Sequence, residues 1–114
     1  VINGIRPDFI INLTNDAWYG NTYGPIQHLA SARARAIEEG LPFVRSANTG
    51  ISAVIDHYGR FIGRLELEKE GVLDIYIPVS TRRTVFSIYG NMLYIIMSIF
   101  MLLLARFIFI KNKL

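Results

Sequence analysis

Between Arg83 and Arg106 stand 22 consecutive residues, TVFSIYGNMLYIIMSIFMLLLA, without one charged side chain. As a helix rising 1.5 Å per residue they span roughly 33 Å, about the hydrocarbon thickness of a bilayer. Tyr89 and Tyr94 lie toward one end, where amphipathic rings favour headgroups, and Arg106, Lys111 and Lys113 close the other. The alternative is a core helix of a soluble domain, but a chain of 114 residues has little surface left to wrap a helix that is apolar all round. The run therefore predicts a transmembrane helix over 84–105 followed by a basic cytoplasmic tail, 106–114. The orientation follows the slight excess of basic residues beyond the run.

Charge divides at the same place. Through Thr81 seven basic residues face nine acids, whereas Arg82, Arg83, Arg106, Lys111 and Lys113 follow with no acid at all. The net charge of +3 thus belongs to the membrane-flanking part. The rest lacks the clustered Lys and Arg that counterion release from nucleic acid requires, so a nucleic-acid partner is excluded. With no cysteine, the chain can build no disulfide, no thiolate zinc site and no thiol nucleophile of its own. It opens Val1-Ile2-Asn3-Gly4, without the Met and basic n-region of a signal peptide, and reads as a piece of something longer.

Residues 1–78 read as a mixed α/β unit and 79–83 as a short polar linker. Asp8 to Leu13 is a continuous apolar run of strand type, a pattern expected of a strand buried on both faces. A long loop, Thr14 to Pro25, is dense in Asn, Gly and aromatic residues. Pro25 suits a first helical position, and the helix it opens carries Ile26, Leu29, Ala30, Arg33, Ala36 and Ile37 on one face, with Gly40 as its stop. Arg33 within that stripe is either a snorkelling side chain or the partner of a buried carboxylate. Leu41 to Ala47 is the next strand. Ile51 to Asp56 and Phe61 to Leu67 form a hairpin about His57-Tyr58-Gly59-Arg60, and Gly71 to Ile77 is a last strand before Pro78.

Catalytic groups are scarce. Serine triads could draw on His28, Ser31 and Asp16, or on His57, Ser52 and Asp56, but no nucleophile elbow surrounds either serine. His28 near a helix start suits a capping or loop hydrogen bond, and His57 at a hairpin tip suits solvent. Two isolated histidines without metal-ligand spacing make no metal site, and no Gly-rich phosphate loop follows a strand. Trp18 and Tyr19 are the informative residues. Beside Asn15 and Asp16, on a loop leaving a strand end, they are costly to leave in water unless they meet a ligand, a membrane or another segment; packing over the helix is the ordinary alternative.

Five strings carry a resemblance: NLTNDAWYG (12–20), GPIQH (24–28), ARARAIE (32–38), RSANTGISAV (45–54) and GRFIG (59–63). Together, and in this order before a final apolar helix, the chain from about Arg6 onward resembles the C-terminal part of the apolipoprotein N-acyltransferase family, bacterial membrane enzymes of the nitrilase or carbon–nitrogen hydrolase superfamily. The resemblance implies an αββα sandwich on the periplasmic side of the inner membrane. It also implies a Glu–Lys–Cys triad that takes an acyl chain from a phospholipid as a thioester and passes it to the N-terminal amine of a lipoprotein. No cofactor or metal is implied.

The matching segments place all three triad residues upstream of Val1, so no catalytic residue is expected within this chain, which alone should be inactive. What carries over is a substrate-gating loop, Asn15, Asp16, Trp18, Tyr19 and Gly20, with Arg35, Glu38 and Asn48 as scaffold near the site. The implied partners are the phospholipid donor, the lipoprotein acceptor, the membrane and a complementary N-terminal fragment. Two rivals remain open: a membrane-tethered amidase-like hydrolase of the same superfamily, and a non-enzymatic remnant or interaction module.

Overall fold

The computed structural model describes residues 5–80 and 83–111, so Val1 to Gly4, Thr81 and Arg82 of the predicted linker, and the tail residues Asn112 to Leu114 lie outside the described residues. The element order is β1 (Ile10–Asn15), a 3-10 turn (Ala17–Tyr19), α1 (Gly24–Glu39), β2 (Phe43–Asn48), β3 (Ser52–Ile55), β4 (Phe61–Leu65), α2 (Val85–Tyr89) and α3 (Met92–Lys111). The mixed α/β class is borne out. Four strands form one sheet in the order β1-β2-β3-β4, with β1 and β2 parallel and the other pairs antiparallel.

Helix α1 supplies the crossover that a parallel β1/β2 pair needs. Its alanine-rich sequence favours helix, Pro25 sits in its first turn, and Gly40 ends it at φ 64°. Leu41 N–H then reaches back to the Ala36 carbonyl, closing the turn as a Schellman motif. Its buried positions are Pro25, Leu29, Ala32 and Ala36. The predicted face is therefore rotated, because small Ala32 and Ala36 let α1 approach Phe43, Ala53 and Ile55, while Ile26 and Ile37 turn outward. Arg33 takes the snorkelling option: its Nε donates to the Gly59 carbonyl at 2.6 Å and its guanidinium lies over Phe61.

Two strand expectations change. Strand β1 is covered on one face only: Ile10 packs on the core, whereas Ile11 and Leu13 stand 59% and 78% exposed. The continuous apolar run marks a strand fit for two covered faces, and α1 supplies one cover. Residues 71–77 form no strand. Leu73, Ile75 and Ile77 alternate with exposed neighbours, yet no backbone hydrogen bond among the described residues ties this segment to β4.

The hairpin is held at its turn by Asp56, whose Oδ1 accepts from the Tyr58 and Arg60 amides at 2.9 and 2.8 Å and whose Oδ2 accepts from Arg60 Nε at 2.7 Å. Burial opposes the charge, but the bonds from Arg60 and Tyr58 outweigh it and hold the carboxyl below its ordinary range. A depressed carboxylate stabilises the fold above its unfolded pKa, and that stabilisation fades as pH falls through the lower folded value. Replacing Asp56 by alanine should cost about 2 kcal/mol at neutral pH, on the scale of hydrogen bonds to a charged group. The deficit should shrink below about pH 4. Thermal unfolding of the two proteins from pH 7 to pH 3 measures this; a pH-independent gap would dismiss the ionised turn as its cause. His57, expected in solvent, instead has its Nδ1 shut from water without a partner among the described residues.

The apolar run is helical in two pieces. Thr84 caps α2 in a reciprocal capping box with Ser87, and its hydroxyl also donates to the Glu38 carbonyl at the end of α1. Gly90, at φ 52°, then breaks the helix, and α3 restarts from Asn91, whose carbonyl accepts from Ile95. This is turn chemistry within an apolar stretch. Helix α3 has 20 residues, and an 18-residue stretch of it has a mean hydropathy of 2.5 with none of that stretch buried, so it is long and apolar enough to cross a membrane. Its Ser98 hydroxyl is satisfied within the helix by the Tyr94 carbonyl. Arg106 falls inside α3 rather than beyond it.

Candidate functional site

Strands β1 and β2 run parallel in register from Ile10↔Phe43 to Asn15↔Asn48, so their carboxyl ends open side by side. Ligands of sheets with parallel strands gather at such ends. Here the two departing loops, 16–23 and 49–51, meet over a buried polar cluster. Arg45, 2% exposed, and Asp16, 1% exposed, form an ion pair at 2.6 Å. Arg45 also donates from Nη1 to Asn12 Oδ1 at 2.5 Å, across the strand pair, and from Nε to the Ile51 carbonyl at 3.3 Å. The guanidinium thus ties β1, the aromatic loop and the 49–51 loop together, a task for which its rigid fork is suited.

His28, in the first turns of α1, completes the cluster. Its Nδ1 stands 2.8 Å from Asp16 Oδ1 and 3.1 Å from Arg45 Nη2. Arg45 is always a donor, so Nδ1 accepts from Arg45 when bare and donates to the Asp16 carboxylate when protonated. Gly50 admits the cluster: a β-carbon there would collide with the Asp16 carboxyl. Beside it Thr49 holds φ 56°, a strained setting for a β-branched residue.

The loop is pinned from below and open above. Asn15 Oδ1 accepts from Ala17 N at 3.1 Å and from Asn48 Nδ2 at 3.4 Å, so Asn15 holds the loop locally and Asn48 joins it. Asp16 bonds by its side chain to β2 and α1, through Arg45 and His28. Tyr19 lies against Gly24 and meets His28 edge-on, with ring centroids 6.1 Å apart. Gly20, at φ 55° and ψ −157°, takes a backbone setting other residues avoid. Trp18 touches none of this and is 88% exposed; it does not pack over the helix. Arg35 and Glu38 stand near the other end of α1, paired with each other at 3.1 Å, and do not join the loop.

Sequence reading missed Arg45 and Asn12, whereas the loop hydrogen bond expected of His28 is made, to Asp16. The available signal was an arginine set within the otherwise apolar strand segment Leu41 to Ala47, opposite an asparagine in the preceding strand. Among the described residues no group of His, Asp and Glu forms a metal site. The cluster has the character of a rigid base that holds an aromatic loop, not of a nucleophile with its base.

A family model described as carbon-nitrogen hydrolase matches residues 6–85. The apolipoprotein N-acyltransferase of Rhodopseudomonas palustris is 52% identical over 91 residues, covering 80% of this chain and 17% of that protein. That of Bradyrhizobium diazoefficiens is 56% identical over 86 residues, covering 75% and 16%. That of Rickettsia bellii is 48% identical over 113 residues, covering 98% and 21%. The chain spans about one fifth of the length of these relatives.

Proposed function

The chain belongs to the carbon-nitrogen hydrolase family, and from that membership we propose that it supplies the C-terminal part of an apolipoprotein N-acyltransferase. In this reading residues up to 78 are part of a nitrilase-like sandwich and α3 is the membrane span, with α2 at the interface. The enzyme domain lies on the periplasmic side of the inner membrane. The bare face of β1, with Ile11 and Leu13, is where the remaining half of the sandwich packs.

The observation that carries the reading is Trp18. Burying a tryptophan of about 150–250 Å² at about 25 cal/mol per Å² is worth roughly 4–6 kcal/mol at most. This fold leaves that side chain in water while fastening the backbone on either side of it. A rigidly held, unpartnered indole suits an acyl chain. The chemistry belongs to a cysteine outside this chain, which has none. Its thiolate attacks the phospholipid ester carbonyl, the lysophospholipid alkoxide leaves and takes up a proton, and the lipoprotein amine then attacks the thioester and expels the thiolate. Trp18 and Tyr19 would shield that thioester from water, with Asp16, Arg45 and His28 keeping the loop in place.

The test is an assay of the complete polypeptide bearing these residues, in detergent, with a phospholipid and a diacylglyceryl-cysteine peptide. The expected product is the peptide gaining one acyl chain by mass. Hydrolysis of simple amides without acyl transfer would favour the amidase-like rival, and neither activity would favour the non-enzymatic one.

A further inference from the structure

We propose that a second site, at the opposite end of the sheet from the aromatic loop, binds the phosphate of an anionic membrane lipid. A cleft of about 480 Å³ opens where β1 and β2 begin and α1 ends. Arg6, Arg35 and Arg83 line it, above a floor that includes Ile10, Leu41 and Phe43. Three guanidiniums face a single lining carboxylate, Glu39. Arg6 is held in place by donating to the Glu39 and Gly40 carbonyls at 2.8 and 3.1 Å, and Arg35 is engaged by Glu38. Among the described residues no hydrogen bond or ion pair takes up Arg83, which is exposed.

Position selects a lipid over a soluble anion. Arg83 precedes α2, which is five residues long, and α3 begins nine residues beyond Arg83. Five helical residues rise about 7.5 Å, close to the depth of one headgroup layer. The cleft therefore lies at headgroup level when α3 spans the bilayer. Planar guanidiniums match phosphate oxygens in paired bonds, and the apolar floor suits the glycerol and upper acyl carbons. Basic residues at this depth also draw on the surface potential of anionic lipid. The site rests on the membrane-spanning reading of α3 and is independent of acyl transfer.

The experiment uses the full chain in nonionic detergent and counts retained lipid by native mass spectrometry. Phosphatidylglycerol should be retained as one molecule, and phosphatidylcholine about tenfold less, since its choline offsets the charge the arginines read. Arg35→Gln with Arg83→Gln should weaken phosphatidylglycerol retention about tenfold, whereas Arg35→Lys with Arg83→Lys, which keeps the charge but loses the paired donors, should fall between that variant and the unaltered chain. Arg6 stays unchanged because it also caps α1. Circular dichroism of each variant separates lost binding from lost folding, and the lysine variant carries the comparison if the glutamine variant unfolds. Equal retention of the two lipids, equal retention by the glutamine variant when folded, or binding of inorganic phosphate in place of lipid would each overturn the proposal.

Discussion

Arg45→Met should unfasten the aromatic loop and cost the domain about 3–5 kcal/mol, the range for removing one partner of a buried ion pair. Methionine fills much of the same space, so the loss comes from charge and not from a cavity. Asp16 would be left buried with only His28 beside it, and the Asn12 and Ile51 acceptors would lose their donor. Domain stabilities of about 5–15 kcal/mol leave little after such a loss. Protease cleavage within residues 17–23 and the thermal midpoint report it together. Adding Asp16→Asn should recover part of the loss, because both charges are then gone. If Arg45→Met alone shifts stability by less than about 1 kcal/mol, the pair is no clamp.

Trp18→Ala should have the reverse profile. In the complete enzyme, acyl transfer to the lipopeptide should fall at least about tenfold, equivalent to about 1.4 kcal/mol of transition-state stabilisation. The thermal midpoint should stay where it is, because an indole 88% exposed contributes little to the fold. Trp18→Phe should restore most of the activity if an apolar ring is what the acyl chain meets. Unchanged transfer in the alanine variant would remove the loop from the mechanism.

The two substitutions separate what could be read from the sequence and what could not. Trp18 was legible because an exposed aromatic costs free energy wherever it sits, and the loop around it was marked by Asn and Gly. The hairpin was legible from two short apolar runs about a Gly-containing turn, and α1 from Pro25 and Gly40. Arg45 was not legible as a clamp, since its partners Asn12, Asp16 and Ile51 are brought to it only by the parallel register of β1 and β2. The face of α1 was misjudged because hydrophobicity favours Ile26 and Ile37, whereas close approach to the sheet favours alanine. Residues 71–77 alternate like a strand, but a strand needs a neighbour as well as a pattern, and β4 offers them no hydrogen bonds.

The break at Gly90 and Asn91 has a mechanical meaning. On one side, the Thr84 hydroxyl fastens α2 to the end of α1, so that α2 turns with the sheet. On the other, α3 is an unbroken rod of 20 residues. Between these two stiff bodies the chain has one elbow, and any torque on α3 reaches the sheet through the four backbone dihedrals of two residues.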